Sequence, residues 1–316
     1  MRNTPPACRE LLTEQCGVLS RRQALCLGFS EDMIGWRLRT RSWQQLHAGV
    51  YAAFTGEPSR AAALWAAVLR SGPGSALSHY SAAELHQLSD TVSPAIHVTV
   101  PLGRHVRGAT GLVIHRSSHI EAARHPSLQP PRTRIEETVI DLTQVARNFD
   151  DAFHWLCRAC GGRMTTSDRL LAALARRKKV RYRTELVSGL AVIKEGVHSN
   201  LEYRYVRRVE RPHGLPVARR QAPVRIAVGR RYLDNLYPEF GVAVELDGQA
   251  MHLAQDRWRD VHRDNALTGA GIITLRYSWA DVTRRACTVA VEIGMVLRSR
   301  GWTARPHPCG PGCPAS

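Results

Sequence analysis

Three acidic residues lie in two neighbouring strand-like segments in the last third of the chain. Asp234 lies in the first segment, and Glu245 and Asp247 lie two residues apart in the second. Because side chains alternate along a strand, that spacing places the carboxylates of the second segment on one face. Carboxylate oxygens are hard ligands that suit Mg²⁺ or Mn²⁺. The pattern predicts a divalent-cation site at the end of a small sheet.

A turn and a hydrophobic pattern must position these acids. The segment Tyr237–Gly241 predicts a hairpin turn between the two strands. Val242, Val244 and Leu246 alternate with the acids and are expected to point into a core. For residues 196–300 the predicted order is α-β-β-β-α-β-α. The helices are expected at 199–210, 258–267 and 278–300, and the strands at 222–228, 231–236, 241–246 and 271–276.

The N-terminal residues have the pattern of a helix-turn-helix followed by a short hairpin at 43–53. Ser20 and Ser30 are each placed to cap a helix. Three arginines lie near the end of the second helix: Arg37, Arg39 and Arg41. Arginines at helical spacing occur on solvated faces as well as on DNA-binding helices. We favour contact with duplex DNA, with the solvated face as the other interpretation.

The charge balance points to a polyanionic partner. The 316 residues carry a formal net charge of +17. Such a charge favours nucleic acid over a membrane surface here, because the chain has no basic amphipathic helix or lipidation motif. The apolar runs are too short to span a bilayer, and the N-terminus lacks the apolar stretch of a secretory signal. We therefore expect a cytoplasmic protein with no membrane partner.

We expect an α+β multidomain protein. The divisions are a winged-helix DNA-binding domain at 1–55, a middle α/β then helical region at 56–195, an α/β domain at 196–300 and a flexible tail at 301–316. In the middle region, strand Gly111–His115 is expected to pair with strand Ile96–Val100 across the turn between them. The basic run Arg176–Arg183 could contact phosphates or be a solvated linker.

Histidines and cysteines give weaker signals. The spacing of His79, His86, His97 and His115 matches no closed metal site. The Cys157 and Cys160 pair is expected to be buried thiols. Cys309 and Cys313, beside His307, could form a disulfide, an adventitious metal site or part of a disordered tail, and disorder is the default for such a Pro/Gly-rich terminus.

The N-terminal pattern resembles the winged helix of abortive-infection type IV antitoxins. The residues that carry the resemblance are Leu19–Ala24, Gly28, Arg37–Arg39, Trp43 and His47–Tyr51. They cover about fifty residues. The resemblance implies that the second helix binds in the major groove of duplex DNA.

The C-terminal pattern resembles very-short-patch-repair-endonuclease-like proteins of the restriction-endonuclease-like, PD-(D/E)XK superfamily. The residues that carry it are Glu202, Tyr232, Asp234, Glu245, Asp247, Gly248, His252, Asp260, Arg263, Asp264, Leu267, Gly271, Leu275 and Arg276. The superfamily motif ends in lysine where this chain has Asp247. The three lysines of the chain lie elsewhere in the sequence, at Lys178, Lys179 and Lys194.

The resemblance implies hydrolysis of a phosphodiester bond with a bound Mg²⁺ or Mn²⁺ ion. The expected metal ligands are Asp234, Glu245, Asp247 and Glu202, the last acting from its helix. His252 could serve as general acid or base, and Arg263 could clamp the scissile phosphate. The first prediction is thus a metal-dependent DNA endonuclease. The alternative is an antitoxin-like DNA-binding transcriptional regulator with an inactive nuclease fold, and an RNA-directed nuclease is a third possibility.

Overall fold

The computed structural model describes residues 6–226, 229–247 and 265–315. In these residues the protein is α+β, with helices and three separate sheets. The chain forms two compact units. The N-terminal unit comprises Met1–Ala146 and Ala172–Lys179, and the C-terminal unit comprises Arg147–Leu171 and Val180–Ser316.

Serine caps and a shared core organise the start of the N-terminal unit. Ser20 forms a reciprocal capping box with Gln23, and Ser30 caps the next helix. The elements are α1 (Pro6–Glu14), β1 (Val18–Ser20), α2 (Arg21–Cys26), α3 (Glu31–Arg39), β2 (Gln44–His47) and β3 (Val50–Ala52). The strands form an antiparallel sheet in the order β1-β3-β2. Phe29 and Trp43 are buried in the core between these elements.

A second sheet completes the N-terminal unit. Its elements are α4 (Arg60–Ser71), β4 (Ala76–Leu77), α5 (His79–Leu85), β5 (Ile96–Pro101), β6 (Leu112–Ser117), α6 (Ile120–Ala123) and α7 (Ile135–Val145). The sheet order is β4-β5-β6. Strands β5 and β6 pair as predicted, but they are parallel, with Ile96 opposite Leu112. Residues 102–111 therefore carry the chain back to the start of β5 and do not form a hairpin turn.

The C-terminal unit has several helices around a four-stranded sheet. The elements before the sheet are α8 (Phe149–Gly161), α9 (Ser167–Ala175, whose residues from Ala172 onward belong to the N-terminal unit), α10 (Arg183–Lys194), α11 (Asn200–Tyr205) and a π-helical turn (Val206–Glu210). The sheet has the order β10-β9-β8-β7, from β7 (Arg219–Ile226), β8 (Gly229–Tyr237), β9 (Val242–Asp247) and β10 (Ile273–Ser278). Strands β9 and β10 are parallel, and the other pairs are antiparallel.

Strand β9 lies between two other strands, and this changes the predicted burial pattern. Val242 and Val244 are fully buried as expected, but Ala243 between them is also fully buried. Both faces of the first half of β9 are therefore covered. In the second half, Glu245 and Leu246 are only half-buried. The predicted acids Glu245 and Asp247 thus lie in the part of β9 that is not fully covered.

The last helical segment is divided into two helices. We expect one helix at 278–300, whereas the structure has α12 (Trp279–Arg284) and α13 (Ala286–Ser299). The two helices meet at Arg285, whose backbone φ of −127° is not helical. In the described parts of the chain, no helix is long and apolar enough to cross a membrane.

The expected flexible tail instead packs on the C-terminal unit over residues 301–315. The backbone N–H of Trp302 donates to the carbonyl of Leu297 at 3.0 Å, and the N–H of His307 donates to the carbonyl of His213 at 3.1 Å. Cys313 is buried, with 6% of its surface exposed. These contacts fix both ends of a segment whose composition alone is typical of disorder.

The basic run that follows α9 contains an internal ion-pair cluster. Arg177 donates to Glu137 Oε2 at 2.6 Å and lies 2.8 Å from Asp141 Oδ1. Arg176 donates to Glu137 Oε1 at 3.0 Å. The Glu137 side chain is fully buried, and 18% of the Arg177 side chain is exposed. Two arginines of the run therefore neutralise buried acids of the same unit, which neither predicted role included.

Candidate functional site

The hairpin of β8 and β9 places two of the predicted acids beside each other. A 3₁₀ turn at Pro238–Phe240 joins the strands, and Gly241 follows it with a left-handed φ of 60°. The strand pairing runs from Tyr237↔Val242 to Asn235↔Val244. The next residues along the two strands are Asp234 and Glu245. They lie immediately beyond the paired register, where their side chains can reach across the hairpin.

Asp234 and Glu245 are joined by hydrogen bonds that involve the backbone of the hairpin. The N–H of Asp234 donates to Glu245 Oε1 at 3.2 Å, and the N–H of Leu246 donates to Asp234 Oδ2 at 3.0 Å. Gln221 Nε2 on β7 donates to Asp234 Oδ1 at 3.1 Å. The Asp234 carboxylate is therefore held in position from both neighbouring strands.

Glu202 lies on α11, near enough to Asp234 for the charge of Asp234 to affect its pKa. Ser199 caps this helix, so Glu202 lies in its first turn. The N–H of His198 donates to Glu202 Oε2 at 3.0 Å, and Ser199 Oγ donates to Oε1 at 3.0 Å. Only 6% of Glu202 is exposed. Burial, and then the negative charge of Asp234, raises the pKa of Glu202 above its usual value.

Glu245 has a similar environment. Burial, together with the negative charge of Asp234, raises the pKa of Glu245 to about 7. Two carboxyl groups are thus disfavoured as anions by burial and by their common neighbour Asp234. A divalent cation near these oxygens would reverse that effect by stabilising the charged form.

The fourth predicted ligand, Asp247, has a different partner. Its Oδ1 lies 3.4 Å from Nη1 of Arg276 on the adjacent strand β10. Among the described residues, the groups with ligand atoms all within 4.8 Å of one another consist of histidines and cysteines. The four carboxylates are therefore less tightly gathered than those groups. The predicted residues His252 and Arg263 lie outside the described residues.

The arginines predicted to contact DNA fall into two kinds. The guanidinium of Arg37 lies over the rings of Phe29 and Trp43, at 5.2 and 5.3 Å from their centroids. Such stacking gives Arg37 a packing role in the helical core. Arg39 and Arg41 are exposed. These two are more accessible to a phosphate backbone than Arg37, which is half-buried.

Three histidines of the N-terminal unit lie together, although their spacing matches no closed metal site. His97 Nδ1 is 3.1 Å from His115 Nε2, and the rings of His79 and His115 stack at 3.7 Å between centroids. Burial lowers the pKa of His79 to about 2 and that of His115 to about 4. Imidazole lone pairs lie in the ring plane, so stacked rings cannot easily direct them at one ion. We interpret this cluster as packed neutral histidines.

A second group of potential ligands lies in the C-terminal unit: His213, Cys287, Cys309 and Cys313. The sequence contained part of the signal, because Cys309 and Cys313 are four residues apart. The other two members are far away along the chain, and no local pattern could have assigned them. His307, the histidine expected beside these cysteines, is not a member of the group.

Comparisons with known proteins provide little further information. No family model and no curated protein matches the chain. A crystal structure of the RV2827C protein from Mycobacterium tuberculosis is similar over 57% of this chain and 74% of that chain, with 15% identity and a TM-score of 0.37. A similarity at this level supports no argument about fold or function.

Proposed function

We propose that this protein is a Mg²⁺- or Mn²⁺-dependent DNA endonuclease. The observation that carries the proposal is that Asp234 and Glu245 are hydrogen-bonded across the hairpin, and that burial and the charge of Asp234 raise the pKa of both Glu245 and Glu202. The donors are all carboxylate oxygens, which fits a hard divalent cation. The motif from Glu202 to Arg276 that resembles very-short-patch-repair-endonuclease-like proteins supports the same chemistry.

The observed order of elements supports the finer assignment of fold. In the C-terminal unit, α11 is followed by β7, β8 and β9, then by helical residues 265–269, β10 and α12. This order is compatible with a restriction-endonuclease-like domain. In the N-terminal unit, the order α1-β1-α2-α3-β2-β3 supports a winged-helix domain that binds duplex DNA.

Each acid has a defined role in the proposed reaction. Glu245 and Asp234 bind the metal ion from the hairpin, and Glu202 completes the site from α11. Asp247 orients Arg276, which adds positive charge beside the carboxylates. The bound ion would supply an activated water and neutralise charge on the phosphate. His252 and Arg263 remain our candidates for proton transfer and phosphate binding.

A specific observation favours the alternative of an inactive, DNA-binding regulator. The superfamily lysine is replaced by Asp247, and the lysine of the C-terminal unit does not compensate for it. Lys194 Nζ is bound to Asp168 Oδ1 at 2.9 Å, on the surface. The residue that would orient the attacking water is therefore not a lysine of this unit. A regulator would need only the exposed arginines of the N-terminal unit.

The substitutions Asp234→Asn and Glu245→Gln are expected to reduce DNA cleavage by at least about 100-fold, because they remove ligand charge while keeping side-chain size. Cleavage is measured on duplex, mismatched, branched and single-stranded DNA with Mg²⁺ or Mn²⁺. Glu195→Gln is the matched control, since Glu195 is an exposed acid paired with Arg211 in the same unit.

Three outcomes separate the proposals. Cleavage retained at the wild-type rate in Asp234→Asn or Glu245→Gln would rule out this site. Tight DNA binding without cleavage of any substrate, in either metal, would favour the regulator. Cleavage of RNA but not DNA would keep the site and change the substrate.

The double substitution Arg39→Ala/Arg41→Ala is expected to weaken duplex binding by about tenfold or more. It should also reduce the slope of log K against log salt concentration by about two, because two phosphate contacts are lost. Binding is measured by fluorescence anisotropy over a series of salt concentrations. Arg163→Ala/Arg169→Ala removes the same charge from exposed positions of the other unit and serves as the control. Equal effects of the two pairs would indicate attraction by net charge alone.

A further inference from the structure

Four side chains with soft metal-ligand atoms converge near the C-terminus. Cys287 lies at the start of α13, Cys309 and Cys313 flank a Gly-Pro-Gly loop, and His213 follows the π-helical turn. One ligand atom from each lies within 4.8 Å of all the others. The chain brings these residues together from positions up to 100 apart in sequence.

Two distances within the group match a tetrahedral zinc ion. Zinc binds thiolate sulfur at about 2.3 Å and imidazole nitrogen at about 2.0 Å, so neighbouring sulfurs should lie about 3.8 Å apart and sulfur and nitrogen about 3.5 Å apart. Cys287 Sγ is 3.6 Å from Cys309 Sγ. Cys313 Sγ is 3.5 Å from Nε2 of His213. Both distances are therefore close to those set by the coordination geometry.

The orientation of His213 supports the same conclusion. Its Nδ1 lies 2.8 Å from the carbonyl oxygen of Val209. A carbonyl can only accept, so Nδ1 carries the proton and Nε2 presents its lone pair to the group. His213 is fully buried, which leaves that lone pair little access to solvent. Metal-binding histidines are commonly held by such a bond from the second ring nitrogen.

Neither a disulfide nor ordinary thiol hydrogen bonds account for the whole arrangement. A disulfide requires a sulfur–sulfur distance of about 2.05 Å, well below the separation of Cys287 and Cys309. None of the cysteines in the described residues is in a disulfide. Two separate thiol hydrogen bonds could produce the two short distances. A further contact between Cys287 and Cys313 links these bonds into a row that runs from Cys309 to His213. A row of hydrogen bonds does not require the ligand atoms at its two ends to lie within 4.8 Å of each other, as they do here.

We propose that His213, Cys287, Cys309 and Cys313 form a structural zinc site. Four protein ligands close the coordination shell and leave no position for substrate, so the site is structural and not catalytic. Its role follows from the positions of its ligands in the chain. The ion would fix the tail segment 309–313 to α13 and to the turn that follows Glu210. The proposal does not depend on nuclease activity.

The full-length protein is expected to contain about one zinc ion per chain after purification without chelators. Mass spectrometry of the metals measures the content, and release by a mercurial reagent shows that thiolates hold the ion. Cys309→Ser/Cys313→Ser should lose the zinc, because a serine hydroxyl does not replace a thiolate. Cys16→Ser/Cys26→Ser, which changes two exposed cysteines of the other unit, should retain it.

Cobalt substitution of the unmodified protein makes the test independent of how the variants fold. The expected spectrum has the intense visible bands of tetrahedral Co²⁺ and thiolate-to-cobalt charge transfer. Removal of the metal should also accelerate hydrogen exchange in residues 301–315. Wild-type protein that binds neither zinc nor cobalt, or zinc content unchanged in Cys309→Ser/Cys313→Ser, would overturn the proposal.

Discussion

Arg177→Ala is expected to lower the free energy of unfolding of the N-terminal unit by about 3–5 kcal/mol. The guanidinium binds Glu137, whose side chain is fully buried, and Asp141, whose side chain is 11% exposed. Its removal leaves two buried carboxylates without the positive charge that offsets the cost of burying them. Hydrogen exchange of peptides from the N-terminal unit, measured in the full-length protein, reports the effect where it occurs.

The effect of Arg177→Ala should also depend on pH. Burial raises the pKa of Asp141 to about 6, even with Arg177 opposing the shift. A folded-state pKa above the unfolded value means that the folded protein binds more protons in this range, so this group favours folding as the pH falls through 6. Without Arg177 the pKa of Asp141 rises further. The difference between variant and wild type should therefore shrink from pH 7.5 to pH 5.

Lys178→Ala is the matched control for this prediction. Lys178 is an exposed cation one residue further along the same basic run. Its loss should change the unfolding free energy by less than about 0.5 kcal/mol. If Arg177→Ala cost no more than Lys178→Ala, the run would be a solvated linker and the ion-pair cluster would have no energetic importance.

Arg220→Met is expected to destabilise the C-terminal unit by about 3 kcal/mol or more. Arg220 forms an ion pair with Glu210, and only 3% and 2% of the two side chains are exposed. Burial raises the pKa of Glu210, and Arg220 opposes this. Methionine fills similar space but leaves the carboxylate without its cation.

The neighbours of Glu210 limit the expected loss. The N–H of Ala218 donates to Glu210 Oε2 at 3.2 Å, and Tyr237 Oη donates to the same oxygen at 3.4 Å. Tyr205 and Tyr237 are joined through their hydroxyls at 2.6 Å. These donors remain after Arg220→Met, so the loss should lie toward the lower end of the range for buried pairs.

Two further variants show whether Arg220→Met destabilises the unit through lost charge pairing or through lost packing. Glu210→Gln/Arg220→Met removes both charges and should recover part of the stability, because no buried ion is left without its partner. Arg211→Ala removes the adjacent arginine, which pairs with Glu195 on the surface, and should cost less than about 1 kcal/mol. Hydrogen exchange in the C-terminal unit measures all three. A double variant no more stable than Arg220→Met would assign the loss to packing instead of charge.

Local sequence signals predict much of the scaffold around the carboxylates. Serine at positions 20 and 30 identifies two helix starts, because a serine side chain satisfies the first backbone N–H groups. Gly241 marks the hairpin turn, where the backbone has a left-handed φ. Alternation along β9 also predicts that Glu245 faces the site. Each of these inferences needs only a few consecutive residues.

Contacts between distant residues could not be predicted in this way. The pairing of Arg177 with Glu137 joins residues 40 apart. His213 and Cys313, 100 residues apart, also meet only in the folded chain, as do the stacked rings of His79 and His115. Sequence spacing gives no information on which of many arginines or histidines will meet once the helices pack. Asp247 shows the same limit on a smaller scale, since its pairing with Arg276 depends on the parallel register of β9 and β10.

The path of the chain between the two units limits how the protein can be divided. Residues Ala172–Lys179 belong to the N-terminal unit although they follow Arg147–Leu171 of the C-terminal unit. A fragment that ends at Ala146 would therefore lack Arg176 and Arg177. The buried carboxylate of Glu137 would lose both of these arginine partners, which would destabilise the fragment. No single cut in the chain leaves both units intact. One cut after Ala146 removes Ala172–Lys179 from the N-terminal unit, and one cut after Lys179 removes Arg147–Leu171 from the C-terminal unit.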